Sequence, residues 1–430
     1  MTNRYLEGAF APIHDEHTLT DLEVTGTIPE HLDGRYLRNG PNPIGELDPE
    51  LYHWFIGDGM VHGIRIRDGR AEWYRNRWVR GPQTARALGE RPPNGHFPIS
   101  GIGANTNVIG HAGKTIALIE SGVTNVELTD ELDTVGACDF DGTLTGGYTA
   151  HPKRDPDTGE LHAVSYSMYR GNTVQYSVID TGGRARRTVD VEVAGSPMMH
   201  DFSLTENYVV FYDLPVTFDA GMAVEMTVPR GLRFVSRLVL SALIGRVRIP
   251  DPISARQPRG ETTDRRFPYS WNPRYPARVG VMPREGGNAD VRWFDVEPCY
   301  VFHPMNAYDD GDTIVLDVVR HPKMFDTSLA PTRDPQRSTA GRSISPTGRS
   351  ANRASTIAVR SSPVSTNAAS VDATATDMRR VSAVVKPPTS CSSTTSSAVQ
   401  RSRGRSVMEK CSGSSSSNRP RRRQPRTTAC

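Results

Sequence analysis

Three histidines of this 430-residue chain sit in settings that suit metal binding. His151 lies in TAHPK (residues 149–153), His200 in SPMMHDF (196–202) and His303 in YVFHPMN (300–306). Each falls in a turn or at the start of a strand, flanked by proline or methionine and apolar residues. Predicted strands at 208–212 and 313–319 follow the second and third. Neutral imidazoles are good ligands for iron, copper, nickel and zinc. A site made only of imidazoles leaves the metal's charge in full, so carboxylates would act behind the rings, orienting them through N–H bonds. Glu120, at the end of a predicted strand at 114–119, is the candidate for that role. Taken singly, a histidine ahead of a strand is more often structural, and spacing alone does not choose the metal.

Other chemistry-bearing patterns have plainer readings. RNGPNP (38–43) and GDGM (57–60) are rich in glycine, but no Lys-Ser/Thr pair or strand-to-helix context accompanies them. They read as tight turns, and His53 and His62 beside them read as structural. Of five cysteines, Cys391, Cys411 and Cys430 lie near the end. Cys138 and Cys299 make neither a zinc pair nor a disulfide framework.

The elements that must position the histidines are short strands. Runs rich in β-branched or aromatic residues at 61–67, 114–119, 163–169, 174–179, 208–212, 291–295 and 313–319 alternate with turn signals at 67–70, 141–142, 155–159 and 309–312. Many short strands at this spacing indicate a sandwich, barrel or propeller, and some 300 residues suit a propeller. No regular repeat of about 40 residues is visible. One segment breaks the rhythm: residues 230–249, RGLRFVSRLVLSALIGRVRI, predict a basic amphipathic helix. Arg230, Arg233, Arg237, Ser241 and Arg248 share one face, Val235, Leu238, Val239, Ala242 and Leu243 the other, with Phe234 at the boundary. Such a helix either covers a core or lies on an anionic membrane surface.

Composition divides the chain near residue 330. The net charge of +3 averages −11 before Pro331 and +14 after it, and all 12 histidines precede that point. Residues 331–430 contain no Leu, Phe, Tyr, Trp or His. A segment without large apolar side chains cannot bury enough surface to offset the entropy of ordering, so disorder is expected there. The N-terminus has no apolar signal region, and no apolar run approaches 18 residues. A cytoplasmic location is the default expectation.

At GRYLRNGPNP (34–43) and HWFIGDGMVH (53–62) the chain resembles the carotenoid cleavage oxygenases, a family that includes stilbene-cleaving dioxygenases and the retinoid isomerase of the eye. The resemblance continues in order through 149–153, 196–202, DLPVTF (213–218), RVGVMPR (278–284) and VFHPMNAY (301–308), covering about residues 3–326. It implies an all-β, seven-bladed β-propeller with one Fe(II) per subunit on its axis. His151, His200 and His303 match the first three of four histidine ligands, and Glu120 the first of three glutamates behind them. The implied reaction adds both atoms of O₂ across a C=C double bond of an apolar polyene substrate and releases two carbonyl products. Peripheral membrane contact through Arg233, Phe234, Arg237 and Leu238 is expected on the same ground, since a carotenoid must be extracted from a membrane.

The pattern then breaks. The fourth ligand and two further glutamates lie near the family's C-terminus, yet no histidine follows His321 here. A naturally disordered tail is one explanation of the change, and a frameshift in the coding sequence is the other and the expected one. Reading residues 356–378 with each codon started one base earlier permits DDRGQEFPRVDERRVGRRHRYGY, which looks like the family's next glutamate-bearing motif. The expected organisation is a partial propeller at 1–330, incomplete at its C-terminal end, and a frameshifted, disordered basic tail at 331–430. Residues 419–423 (RPRRR) also suit a nucleic-acid arm, but without interleaved aromatics no nucleic-acid partner is expected. The alternatives are a stilbene-type dioxygenase or an inactive, truncated polyene or lipid binder. Losing a ligand and closing strands, the chain as it stands is expected to be impaired.

Overall fold

A computed structural model describes residues 3–97, 103–144, 147–248, 266–311 and 313–326, with the backbone of two further strands at 358–363 and 379–385. The chain divides into two compact units at Pro387, and everything described belongs to the first.

Strands dominate because the β-branched and aromatic runs lie between turns that glycine makes cheap. Asp68-Gly69 and Ala112-Gly113 are two-residue connectors in which both residues have positive φ (49° and 69°; 50° and 74°). That is the hairpin turn whose twist matches antiparallel strands, and it joins Arg67 to Arg70 and His111 to Lys114 in register.

The described residues form five four-stranded antiparallel sheets and one two-stranded sheet, Val216–Phe218 with Tyr269–Trp271. The first contains Thr18–Leu19, Gly34–Pro41, Gly59–Arg67 and Arg70–Trp78. The second, Asn107–His111, Lys114–Leu118, Asn125–Leu128 and Thr134–Cys138, is a simple meander, as is the third, Lys153–Arg154, Leu161–Ser165, Thr173–Ile179 and Ala185–Glu192. The fourth pairs Ser203–Leu204, Tyr208–Asp213, Arg278–Pro283 and Arg292–Asp295 in order. The fifth sets Pro304–Asp310 and Thr313–Arg320 beside Arg379–Val385 and Ala358–Pro363.

Middle strands are buried on both faces, as in Leu161–Ser165, whereas Ala185–Glu192 alternates between partly covered and exposed positions. That is the signature of sheets stacked face to face with their last strands outermost. Three apolar clusters make the stack. Val61, Ala117 and Val126 join the first two sheets. Ile116, Leu118, Leu161 and Ile179 join the second and third. The largest cluster, with Val164, Tyr176, Phe202, Phe211, Tyr300 and Leu316, joins the third to fifth. Each fully buried large apolar side chain contributes about 1.5–3 kcal/mol.

Two expectations need correction here. Residues 358–363 and 379–385 were expected to be disordered, but both are strands, with Ile314 paired to Val385 and Arg320 to Arg379. An edge such as Thr313–Arg320 offers unpaired N–H and C=O groups to any extended backbone, whatever its side chains. The rest of the 331–430 tail lies outside the described residues.

The helix expected over 230–249 is shorter. A 3₁₀ turn at Arg230–Leu232 leads into helix Arg233–Leu243, which stops where Ile244 becomes extended and Gly245 adopts φ +72°. Its apolar stripe does not cover the core: Phe234, Val235, Leu238 and Val239 face solvent, Phe234 at 76% exposure. Leu240 and Ile244 pack inward instead. Arg233 is occupied locally, donating to the Val228 and Glu225 carbonyls at 2.9 and 2.8 Å and so closing the end of helix Ala220–Thr227. Arg237 lies over Gly221 in that same helix.

One buried histidine makes the fold acid-sensitive. His162, fully enclosed, bonds the Tyr176 hydroxyl at 2.7 Å, and burial, aided by Arg284, pulls its pKa down to about 4. The unfolded chain binds this proton near pH 6.5, so stability is held above that pH and lost as pH falls toward 4. His162→Gln keeps a partner for Tyr176 without titrating. Thermal melts from pH 7 to 4 are expected to decline less steeply for it, with the residual slope including His53, also lowered to about 4 by burial.

Candidate metal centre

Each of the three histidines stands just ahead of the first strand of a sheet. His151 precedes Lys153–Arg154 of the third, His200 precedes Ser203–Leu204 of the fourth, and His303 precedes Pro304–Asp310 of the fifth. Equivalent positions in successive stacked sheets bring the rings together. Short local bonds set each segment. Asn107 donates to the Ala150 carbonyl at 2.9 Å, Tyr300 donates to the Met198 carbonyl at 3.0 Å, and Tyr300 and His321 exchange backbone bonds beside His303.

The ligand nitrogens of His151, His200 and His303 all lie within 4.8 Å of one another. Their ring planes cross at 64°, 83° and 71°, close to mutually perpendicular. His151 Nε2 and His200 Nε2 are 3.0 Å apart. Two nitrogens bound at about 2.1 Å and at right angles to one metal ion stand about 3.0 Å apart, so the spacing fits a shared metal ion.

Glu120 grips His200 from behind, its two carboxylate oxygens 2.9 and 2.8 Å from Nδ1. The proton therefore sits on Nδ1 and the Nε2 lone pair faces the site. A tight turn aims Glu120: Ser121 (φ 63°) and Gly122 (φ 80°) follow it, and Ser121 Oγ meets the Tyr269 hydroxyl at 2.8 Å. Burial raises the phenol pKa of Tyr166, Tyr269 and Tyr300, and the Glu120 charge raises them further.

Burial, reinforced by His200, holds the His151 pKa down to about 4, so its lone pair is free at neutral pH. At His200 burial also opposes charge, but Glu120 and then Asp201 outweigh it and the net shift is upward. Burial opposes the charge of Asp201 too. Contacts with His303 and Lys153 nevertheless hold its carboxyl below the usual range.

The structure thus gathers the three predicted histidines and Glu120 at one place, and it leaves His53 and His62 out. His53 stacks on Phe267 at 5.6 Å, and His62 bonds Tyr74 at 2.8 Å. Asp201 and Lys153 were missed as site residues, although both lie inside the motifs that carry His200 and His151. A train of rings leads away from the centre. Phe302 meets His200 edge-on at 5.6 Å, Phe325 lies 6.0 Å from Phe302, and Phe267 lies 5.5 Å from Phe325.

Stacked antiparallel sheets with three converging imidazoles define the structural class, and comparison with known proteins gives the family. Residues 10–386 match the family profile described as retinal pigment epithelial membrane protein. A carotenoid cleavage oxygenase of Mycobacterium tuberculosis is 67% identical over 331 residues, covering 75% of this chain and 66% of the relative. A carotenoid 9,10(9′,10′)-cleavage dioxygenase of Crocus sativus is 34% identical, covering 74% and 56% respectively. The crystal structure of Pseudomonas brassicacearum lignostilbene dioxygenase superposes with a TM-score of 0.59 at 26% identity, covering 78% of this chain and 66% of that one. The chain belongs to the family of the carotenoid cleavage oxygenases and the retinal pigment epithelial membrane protein. It spans between about half and just under two thirds of the length of these curated relatives.

Proposed function

We propose that this chain carries most of the catalytic half of a non-haem Fe(II) dioxygenase acting on carotenoids or apocarotenoids, with one iron per subunit held by His151, His200 and His303. The observation that carries this reading is the near-orthogonal convergence of three imidazoles from successive sheets, with Glu120 behind the central one. Bound there, iron would supply the O₂ chemistry, in which both oxygen atoms enter one C=C double bond and two carbonyl products leave. The chain's own residues do the rest. His151 stays neutral with its lone pair available, and Glu120 fixes the proton and plane of His200. Phe302, Phe325 and Phe267 offer an apolar wall along which a polyene can lie while water is excluded.

A seven-bladed propeller remains our reading of the architecture, with the five four-stranded sheets as blades. No histidine follows His321 to serve as a fourth ligand, which supports reading the tail as the product of a shifted frame. The quarter of the chain outside the mycobacterial match is about as long as that tail. A panel of β-carotene, apocarotenals and hydroxystilbenes under O₂ tests the substrate. Aldehyde products from the polyenes support the proposal. Cleavage of hydroxystilbenes alone supports the stilbene reading, which the similarity to lignostilbene dioxygenase favours. No product together with no iron uptake leaves an inert, truncated chain.

We further place the chain in the cytoplasm, touching membranes peripherally. No described helix is long and apolar enough to span a bilayer. Phe234 and Leu238 protrude from helix Arg233–Leu243, Leu238 at 59% exposure, with Arg237 beside them, whereas Arg233 is spent on the preceding helix. Paired replacement of Phe234 and Leu238 by Asp is expected to lower binding to anionic vesicles at least about tenfold in a sedimentation assay. Unchanged binding would remove this helix as the contact.

A further inference from the structure

His200 has a carboxylate behind it in Glu120, but His303 is exposed on one side and needs a partner of its own. Asp201 is the residue that reaches it. Its Oδ2 lies 3.5 Å from His303 Nδ1, and among the described residues no other side chain hydrogen-bonds that ring. The carboxylate is only 4% exposed, whereas the His303 side chain is 56% exposed, so the acid is the fixed member of the pair. Two further bonds fix it: Lys153 Nζ lies 2.8 Å from Oδ1, and the Phe202 backbone N–H donates to Oδ1 at 2.8 Å.

The connectivity gives this arrangement its consequence. Lys153 is two residues beyond His151, Asp201 is one beyond His200, and His303 belongs to the third segment. One buried carboxylate therefore ties together all three segments that present histidines.

We infer that Asp201 is a positioning residue for His303, a second outer carboxylate that holds the proton on Nδ1 and leaves Nε2 to bind the metal. The inference rests on the metal-centre reading given above. It assigns Lys153 the task of anchoring Asp201 rather than of touching substrate. Carboxylates and other outer partners of ligand histidines change metal affinity by about 10–100-fold when removed. A purely structural Asp201, serving only its ion pair with Lys153, would act on folding and not specifically through His303.

The test is Co(II) titration of the full chain, followed by visible absorption, in a double-mutant cycle. Asp201→Asn is expected to weaken Co(II) binding about 10–100-fold. In a His303→Ala background the same change is expected to have less than about a twofold effect, because the ring it acts through is gone. Asp201→Ser serves as a second variant, with thermal melts of all proteins for comparison. Unchanged affinity in Asp201→Asn overturns the inference, and so does an equal loss in both backgrounds. Unfolding of both Asp201 variants makes the residue a structural anchor and also overturns it. If the unsubstituted chain binds no Co(II), the metal-centre reading falls and takes this inference with it. If that chain binds and Asp201→Asn binds equally, the inference alone falls.

Discussion

Replacing His200 by alanine is expected to reduce Co(II) or Fe(II) affinity at least about 100-fold, since one imidazole ligand is lost and its outer carboxylate no longer has a ring to orient. His200 is the hinge of the centre: its Nε2 is 3.0 Å from His151, and its Nδ1 holds Glu120. Removing it leaves two imidazoles and an uncompensated carboxylate amid three buried tyrosines. Glu120→Gln keeps shape and an acceptor but gives up the charge, so a smaller loss of about 10–100-fold is expected. His62→Ala is the control. That ring bonds Tyr74 in the first sheet and lies outside the cluster, so metal affinity should not move. Equal effects of His62 and His200 would mean that folding, not ligation, governs the result.

On the frameshift proposal, restoring the second reading frame from about codon 326 is expected to raise polyene cleavage at least about 100-fold, since a ligand and two orienting carboxylates would return together. As it stands, the chain pairs Arg379–Val385 onto Thr313–Arg320, which satisfies backbone bonds but brings no histidine. Aldehyde release under O₂, compared between the two proteins at equal concentration, measures the effect. Sequencing bears on it first. A base order around codons 326–356 that encodes no family-like second frame ends the frameshift account, and so does a restored protein no faster than this one.

Much of the centre was legible because the histidines carry long, ordered motifs around them. The hairpins were legible too: Asp68-Gly69 adopts the positive-φ turn that its sequence announces. The repeat of four-stranded sheets was hidden for a specific reason. His151 and His200 are 49 residues apart, but His303 follows His200 by 103, because 64 residues are inserted between Asp213 and Arg278. The first strands after His151 and His200 are two residues long, too short for any alternation to show. Asp201 was missed because an aspartate beside a ligand looks like any surface aspartate until the next sheet delivers His303. The orientation of helix Arg233–Leu243 was ambiguous for a different reason. Its periodicity defines an apolar face but not which way it turns, and that was settled by Arg233 binding back to Glu225 and Val228.

X-ray absorption at the iron edge of the Fe(II)-loaded chain tests the central claim most directly. The account predicts a first shell of nitrogen and oxygen at about 2.1 Å with the multiple-scattering pattern of three imidazoles, falling to two in His303→Ala. A shell without imidazole scattering, or one that His303→Ala leaves unchanged, would contradict it.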